Sequence, residues 1–258
     1  MRTLLLVGIG TGHPDHVTVQ AVEALNRADV FFVVDKGEQK SGLLELRDEI
    51  LRRHVRDQGA YRVVGIADPP RDRRRDNATA AYEGAVADWH DLRAERFEAA
   101  IAAELGEDGV GAFLVWGDPS LYDSTLRVVE RILARGTVTF EYEVIAGITS
   151  VQALTTAHRI PLNRIGEPIT ITPARRLTPD VQNAVVMLDA GFAPAAWPDD
   201  PELTVYWGAY LGSPDEVTIA GPLSEVAADI ERTRVELRQK HGWIMDTYLL
   251  RRNRPAPA

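Results

Sequence analysis

The apolar run Leu4 to Val7 breaks directly into Gly8-Ile9-Gly10-Thr11-Gly12. A short uninterrupted apolar segment reads as a strand buried on both faces, and the glycines behind it read as a tight loop. This junction predicts an α/β chain with a parallel sheet. A strand running into a loop of this kind occurs twice more. Val110 to Trp116 leads into Gly117-Asp118-Pro119-Ser120-Leu121-Tyr122-Asp123-Ser124-Thr125, and Phe140 to Ile145 leads into Ala146-Gly147-Ile148-Thr149-Ser150. Loops that follow parallel strands are where open α/β sheets hold ligands.

Between these junctions helical and strand patterns alternate. Val17, Ala21, Val22, Leu25 and Ala28 fall at helical spacing, and Val30 to Val34 is another buried strand. Helices are expected over Leu43 to Val55 and Ala78 to Leu105, with Gly84 as the place for a break in the second. Arg62 to Ile66 reads as a strand, and the charged, proline-containing stretch Ala67 to Asp76 as an exposed loop. Further helices run to Ala134 and to about His158. Beyond Pro161 the texture shifts to short strands at Ile169 to Thr172, Val185 to Leu188, Thr204 to Trp207, Val217 to Ala220 and Trp243 to Leu249. Leu223 to Lys240 is helical, and Arg251 to Ala258 is expected to fray. The expectation is two α/β domains, residues 1–145 and 146–258, the second with a mixed sheet. The ligand cleft would lie between them.

With 258 residues, 45% of them hydrophobic, the chain can bury a sizeable core. It contains no cysteine, which excludes disulfides and thiolate metal sites and suits a reducing cytoplasm. A net charge of -9 and a pI near 5.2 argue against a nucleic-acid partner. The apolar run Thr3 to Val7 is too short for a signal peptide or membrane span, so a cytoplasmic protein without a membrane partner is expected. The six histidines show no ligand spacing, and no metal is expected.

Gly8, Gly10 and Gly12 resemble a dinucleotide-binding fingerprint only loosely. The third glycine comes one residue too early, and Pro14 stands where a phosphate-binding helix would begin. Glycines that merely permit a tight turn are a second reading. Gly117-Asp118-Pro119 alone is equally compatible with a type I turn. The three loops in combination point further.

Gly8-Ile9-Gly10-Thr11-Gly12-His13-Pro14, Gly117-Asp118-Pro119-Ser120-Leu121-Tyr122 and Ile145-Ala146-Gly147-Ile148-Thr149-Ser150 resemble, in order and spacing, the signature loops of the tetrapyrrole (corrin/porphyrin) methylase family. The resemblance extends over essentially the whole chain, through Val185 to Asp189, Tyr206-Trp207-Gly208-Ala209-Tyr210 and Gly221-Pro222-Leu223. Many members carry Pro-Gly-Asp-Pro where this chain has Thr11-Gly12-His13-Pro14. The stretch Trp116 to Thr125 and the C-terminal His241-Gly242-Trp243-Ile244-Met245-Asp246 are similar to a deacetylating branch of cobalamin biosynthesis, and the departure would suit a branch with a different substrate or extra chemistry.

The resemblance implies a C-methyltransferase that uses S-adenosyl-L-methionine and releases S-adenosyl-L-homocysteine. Its tetrapyrrole substrate would be precorrin-5, methylated at C-1 with loss of acetate. Trp116, Gly117, Asp118, Leu121, Thr149, Ser150, Met187, Ala209 and Leu223 would contact the cofactor. Gly10, Thr11 and Gly12 would lie at the substrate end. Losing an acetyl group needs water near an acyl carbon, which makes His13, Asp15, Tyr122 and Asp123, with His158, candidates for acid–base help. The substrate's carboxylates call for arginines, and Arg159 and Arg164, followed by Arg175 and Arg176, are favoured over the interleaved Arg71 to Arg75. Family members are often dimeric, so a homodimer is expected, with Trp197 a candidate for its interface. Two rivals stay open: a methylase of another precorrin or of uroporphyrinogen, and a non-enzymatic module binding a tetrapyrrole or nucleotide.

Overall fold

The computed structural model of the protein describes residues 1–35, 41–70, 79–197 and 200–253. The chain divides into two compact units, Met1–Gly10 with Pro14–Ile148, and Thr11–His13 with Thr149–Ala258. In the first, β1 (Thr3–Gly8), β2 (Val30–Asp35), β3 (Arg62–Ala67), β4 (Val110–Val115) and β5 (Glu141–Ile145) form one sheet ordered β3-β2-β4-β1-β5. Every neighbouring pair is parallel.

Side chains alternate across a strand, so a run that is apolar throughout feeds two cores. Leu4 and Leu6 of β1 join Val30, Phe32, Phe113 and Val115 on one face. There α3 (Thr79–Glu104) and α4 (Thr125–Arg135) cover them with Phe97, Ile101, Val128 and Ile132. Leu5 and Val7 join Phe31, Ala112 and Leu114 on the other, under Ala21 and Leu25 of α1 (Val19–Leu25) and Ile50 and Leu51 of α2 (Ser41–His54). Each of the larger side chains contributes about 1.5–3 kcal/mol by leaving water. Helix α3 is continuous through Gly84, contrary to the expected break. A lone glycine costs only about 1 kcal/mol, less than the packing of Phe97 and Ile101 supplies. Strand β5 lies at the sheet edge, leaving Tyr142 and Val144 exposed. Arg71 to Arg75 lie outside the described residues.

In the second unit α5 (Ser150–His158) precedes β6 (Thr170–Pro173), β7 (Asn183–Met187), β8 (Leu203–Ala209), β9 (Val217–Pro222), α6 (Leu223–His241) and β10 (Asp246–Arg252). The sheet order is β6-β7-β10-β8-β9, with β6 and β7 parallel and the other pairs antiparallel, a mixed sheet. Leu203, Val205, Trp207 and Ala209 recur at period two along β8. Leu223, Ala227 and Ile230 of α6 close over that face.

Two expectations need correction at the C-terminal end. Strand β10 begins at Asp246, not Trp243, because Gly242 closes α6 at φ 74° and Trp243 and Ile244 pack against the core before pairing starts. Arg251 and Arg252 do not fray. Arg251 is buried and donates to the carbonyls of Pro161 and Leu162 at 2.9 and 3.0 Å, which satisfies its charge inside the sheet. No described helix is long and apolar enough to cross a membrane.

Gly111 is a tight point among the side chains of the first core. A Cβ there would lie 2.7 Å from Phe32 Cε2 and 2.8 Å from Leu105 Cδ1. Gly111→Ala is expected to destabilise the protein by about 1–3 kcal/mol through overpacking, read as a lower urea midpoint at unchanged m-value.

Candidate active site

Neighbouring strands β1 and β4 send their chains to opposite faces of the first sheet. β1 leads to α1 and β4 leads to α4, so a crevice opens beyond their carboxyl ends. Two glycines bridge it: Gly117 N–H donates to Gly10 O at 2.8 Å, and Gly10 N–H returns to Gly117 O at 3.3 Å. Both have left-handed backbones, φ 75° and 70°, which glycine adopts without steric cost. The loop after β5 closes onto the same point. A Cβ on Gly147 would lie 2.1 Å from Gly117 O, and one on Gly8 would lie 2.6 Å from Gly147 N. The three signature loops therefore touch backbone to backbone at the head of the crevice.

Asp118 ties two of these loops together. Its Oδ2 accepts from Gly147 N–H at 2.8 Å and its Oδ1 from Ser120 N–H at 2.8 Å, with the Ser120 hydroxyl also donating. Burial pushes its carboxyl up, but the hydrogen bonds from Ser120 and Gly147 outweigh this and hold it below the usual carboxylate range. Leu121 N–H donates to Asp118 O at 3.2 Å. Tyr122 follows, 41% exposed, in a left-handed backbone at φ 51° that is costly for an aromatic residue. Asp123 Oδ1 accepts from Thr125 N–H at 2.6 Å, securing the start of α4. Behind the loop the buried Arg93 pairs with Asp68 at 2.7 Å and donates to Ser124 Oγ at 2.8 Å.

The remaining candidates are dispersed. Asp15 sits in a short 3-10 turn, 3.3 Å from Arg53, while His13 is exposed and groups with the second unit. His158 Nε2 lies 2.9 Å from Trp207 O, a structural contact. In the second unit Thr149 caps α5 in a capping box with Gln152, and Ser150 is the first residue of that helix. Met187 ends β7 half-buried, and Ala209 ends β8 fully buried. Leu223 opens α6 with its side chain wholly in the core, so its backbone is what can meet a ligand. Arg159 is exposed at the left-handed cap of α5. Arg164 donates to Arg252 O at 2.8 Å and lies 3.8 Å from Glu167. Trp197 is half-buried.

Gly8, Gly147 and Ser120 stand within the three loops read from the sequence but were given no role there; the structure places them at the junction of those loops. Arg47 of α2 gave none. It donates to Leu114 O at 3.4 Å, and burial lowers its pKa against the opposing pull of Asp123 and Asp48. Because Asp118 titrates below its unfolded value, its contribution is present above about pH 4 and lost as pH falls through the lower folded value. Asp118→Asn is expected to cost about 1 kcal/mol near pH 7, with the gap to the parent shrinking in urea titrations as pH falls below the ordinary carboxylate range.

Comparison with known proteins converges on one family. The model of Tetrapyrrole (Corrin/Porphyrin) Methylases matches residues 3–227. A "Precorrin-6A synthase [deacetylating]" of Sinorhizobium sp is 52% identical over 98% of this chain and 96% of that protein. The crystal structure of a cobalamin synthesis related protein (CobF) from Corynebacterium diphtheriae superimposes with TM-score 0.83 at 39% identity, covering 98% of this chain and all of that one. A uroporphyrin-III C-methyl transferase of Thermus thermophilus complexed with S-adenyl homocysteine shares the fold at TM-score 0.55 and 19% identity, over 96% of this chain and 97% of that one. With its glycine loops meeting at a strand crevice and a family match across both units, the chain belongs to the tetrapyrrole (corrin/porphyrin) methylases.

Proposed function

We propose that the protein is a precorrin-6A synthase of the deacetylating type: a C-methyltransferase that methylates precorrin-5 at C-1, consumes a water and releases acetate. The observation that carries this reading is the 52% identity to such a synthase over nearly the full length of both chains. A rival assignment to another precorrin draws on a weaker likeness, 29% identity over 71% of this chain to a precorrin-2 C(20)-methyltransferase of Sinorhizobium sp. The stretch Trp116 to Thr125 and the Thr11-Gly12-His13-Pro14 departure favour the deacetylating reading.

The cofactor would be S-adenosyl-L-methionine, whose sulfonium supplies an already activated methyl group. The crevice suits such a ligand, because glycines at the strand ends place no Cβ atoms at its head, where open α/β sheets hold ligands. In our reading Trp116, Gly117, Asp118 and Leu121 hold it from the first unit, and Thr149, Ser150, Met187, Ala209 and Leu223 are the matching residues of the second. With both carboxylate oxygens engaged within its own loops, Asp118 acts chiefly by orienting peptide groups. What the protein adds is alignment and exclusion of water around the reacting carbon.

Gly10, Thr11 and Gly12 are the substrate residues of the first loop. Arg159, exposed at a helix end, is better suited to a substrate carboxylate than Arg164, which is bonded within the fold. Among the acid–base candidates we rank Tyr122 first, since strained backbone concentrates at functional positions, with Asp123, His13 and Asp15 behind it. We propose a homodimer working in the cytoplasm, the first part testable by sedimentation.

The test is turnover of precorrin-5 by the purified protein, with S-adenosyl-L-homocysteine and acetate quantified together. One acetate per methyl transferred is expected. Methylation without acetate would assign the chain to another step, and tight S-adenosyl-L-homocysteine binding without turnover of any precorrin would leave a binding module. Tyr122→Phe is expected to lower acetate release about 10²-fold or more if the hydroxyl serves as acid or base, with cofactor affinity unchanged.

A further inference from the structure

We propose that the segment His241–Asp246 is a positioning device for the substrate end of the site, acting through Tyr210 on the backbone of Gly12. The substrate role of Gly12 rests on the function proposed above; the mechanical link does not.

Tyr210 is held in a left-handed backbone conformation, φ 49°, which an aromatic residue keeps only where its surroundings dictate it. Those surroundings come from one segment. Tyr210 N–H donates to Met245 O at 3.0 Å, and its hydroxyl donates to Trp243 O at 2.6 Å. Its ring meets Trp243 edge-on at 5.2 Å and His241 at 4.9 Å. The segment is itself fixed at both ends. Gly242 closes α6, and the Asp246 carboxylate accepts from Trp207 Nε1 at 2.7 Å and pairs with Arg234 Nε at 2.9 Å, both charged side chains being almost fully buried.

On its other side Tyr210 starts a turn, its carbonyl accepting from Ser213 N–H at 2.9 Å. The first-loop residues Thr11–His13 sit against that turn. A Cβ on Gly12 would lie 2.9 Å from both Leu211 O and Ser213 N. Thr11 beside it is 3% exposed, and its hydroxyl has no hydrogen-bond partner among the described residues, as befits a group kept for a ligand. A movement of Tyr210 is therefore transmitted to the peptide groups on either side of Gly12. This gives a physical role to a C-terminal motif that lies far in sequence from the glycine loops.

The test is Tyr210→Phe, which keeps the ring and removes the bond to Trp243 O, alongside Asp246→Asn, which loosens the segment's anchor. Amide hydrogen exchange on the full-length protein is expected to rise about tenfold at Gly12, His13, Gly212 and Ser213, with β6 and β7 unchanged. In precorrin-5 turnover KM should rise about tenfold, with kcat and S-adenosyl-L-homocysteine affinity within about twofold of the parent. Unchanged exchange at those amides in both variants would overturn the proposal. So would a uniform rise across the second unit with KM, kcat and cofactor affinity failing together, since that marks a merely structural role. A parent that turns over no precorrin sinks the function proposed above, while the exchange result still decides the positioning claim.

Discussion

The site depends on a contact that only glycine permits, the backbone-to-backbone meeting of Gly8, Gly117 and Gly147 at the ends of three adjacent strands. With a Cβ 2.1 Å from a carbonyl oxygen, no other residue at position 147 fits without moving a strand end. The rest of the first unit serves this approach. Strands buried on both faces set the spacing, helices on opposite faces open the crevice, and Arg93 and Asp123 secure the start of α4 behind the second loop. Asp118 then locks the second and third loops together with an ionised carboxylate that accepts from peptide groups.

The second unit is organised around polar groups inside an apolar core. Trp207 and Tyr248 are wholly buried, and each hands its polar atom to a carboxylate, Asp246 and Asp189 respectively. Burial pushes the Asp246 carboxyl above the usual carboxylate range, and Arg234, on the stripe of α6 that otherwise carries Leu223, Ala227 and Ile230, offsets only part of that rise. Burial, with help from Asp189, likewise raises the Tyr248 phenol. Removing one partner of such a pair leaves an uncompensated charge, so these residues fix one arrangement of the sheet more than they add stability.

Much of the fold was legible in the sequence, because strands followed by glycines announce a parallel sheet and the crevice in which such sheets hold ligands. Leu4 to Val7, Val110 to Trp116 and Phe140 to Ile145 marked three strands, and the loops behind them marked the candidate site. Other features depend on distance across the fold. Nothing local says that Asp118 turns toward Gly147, that Arg234 faces inward from a helix rich in charge, or that Thr11–His13 groups with the second unit. The start of β10 was misplaced because Trp243 and Ile244 are apolar enough to read as strand, yet they fill the core ahead of it. Arg251 looked like a terminal charge and is buried against carbonyls 90 and 89 residues away in sequence.

The most direct measurement is a calorimetric titration of Gly147→Ala with S-adenosyl-L-homocysteine, alongside its circular dichroism. If the close approach of the three glycines builds the cofactor site, the variant keeps its secondary structure and loses affinity by about 10²-fold or more, because the added methyl must push Gly117 and Gly8 apart. Parent-like binding by Gly147→Ala would contradict the account, since it would mean that the cofactor is held without the junction from which the rest of the site is built.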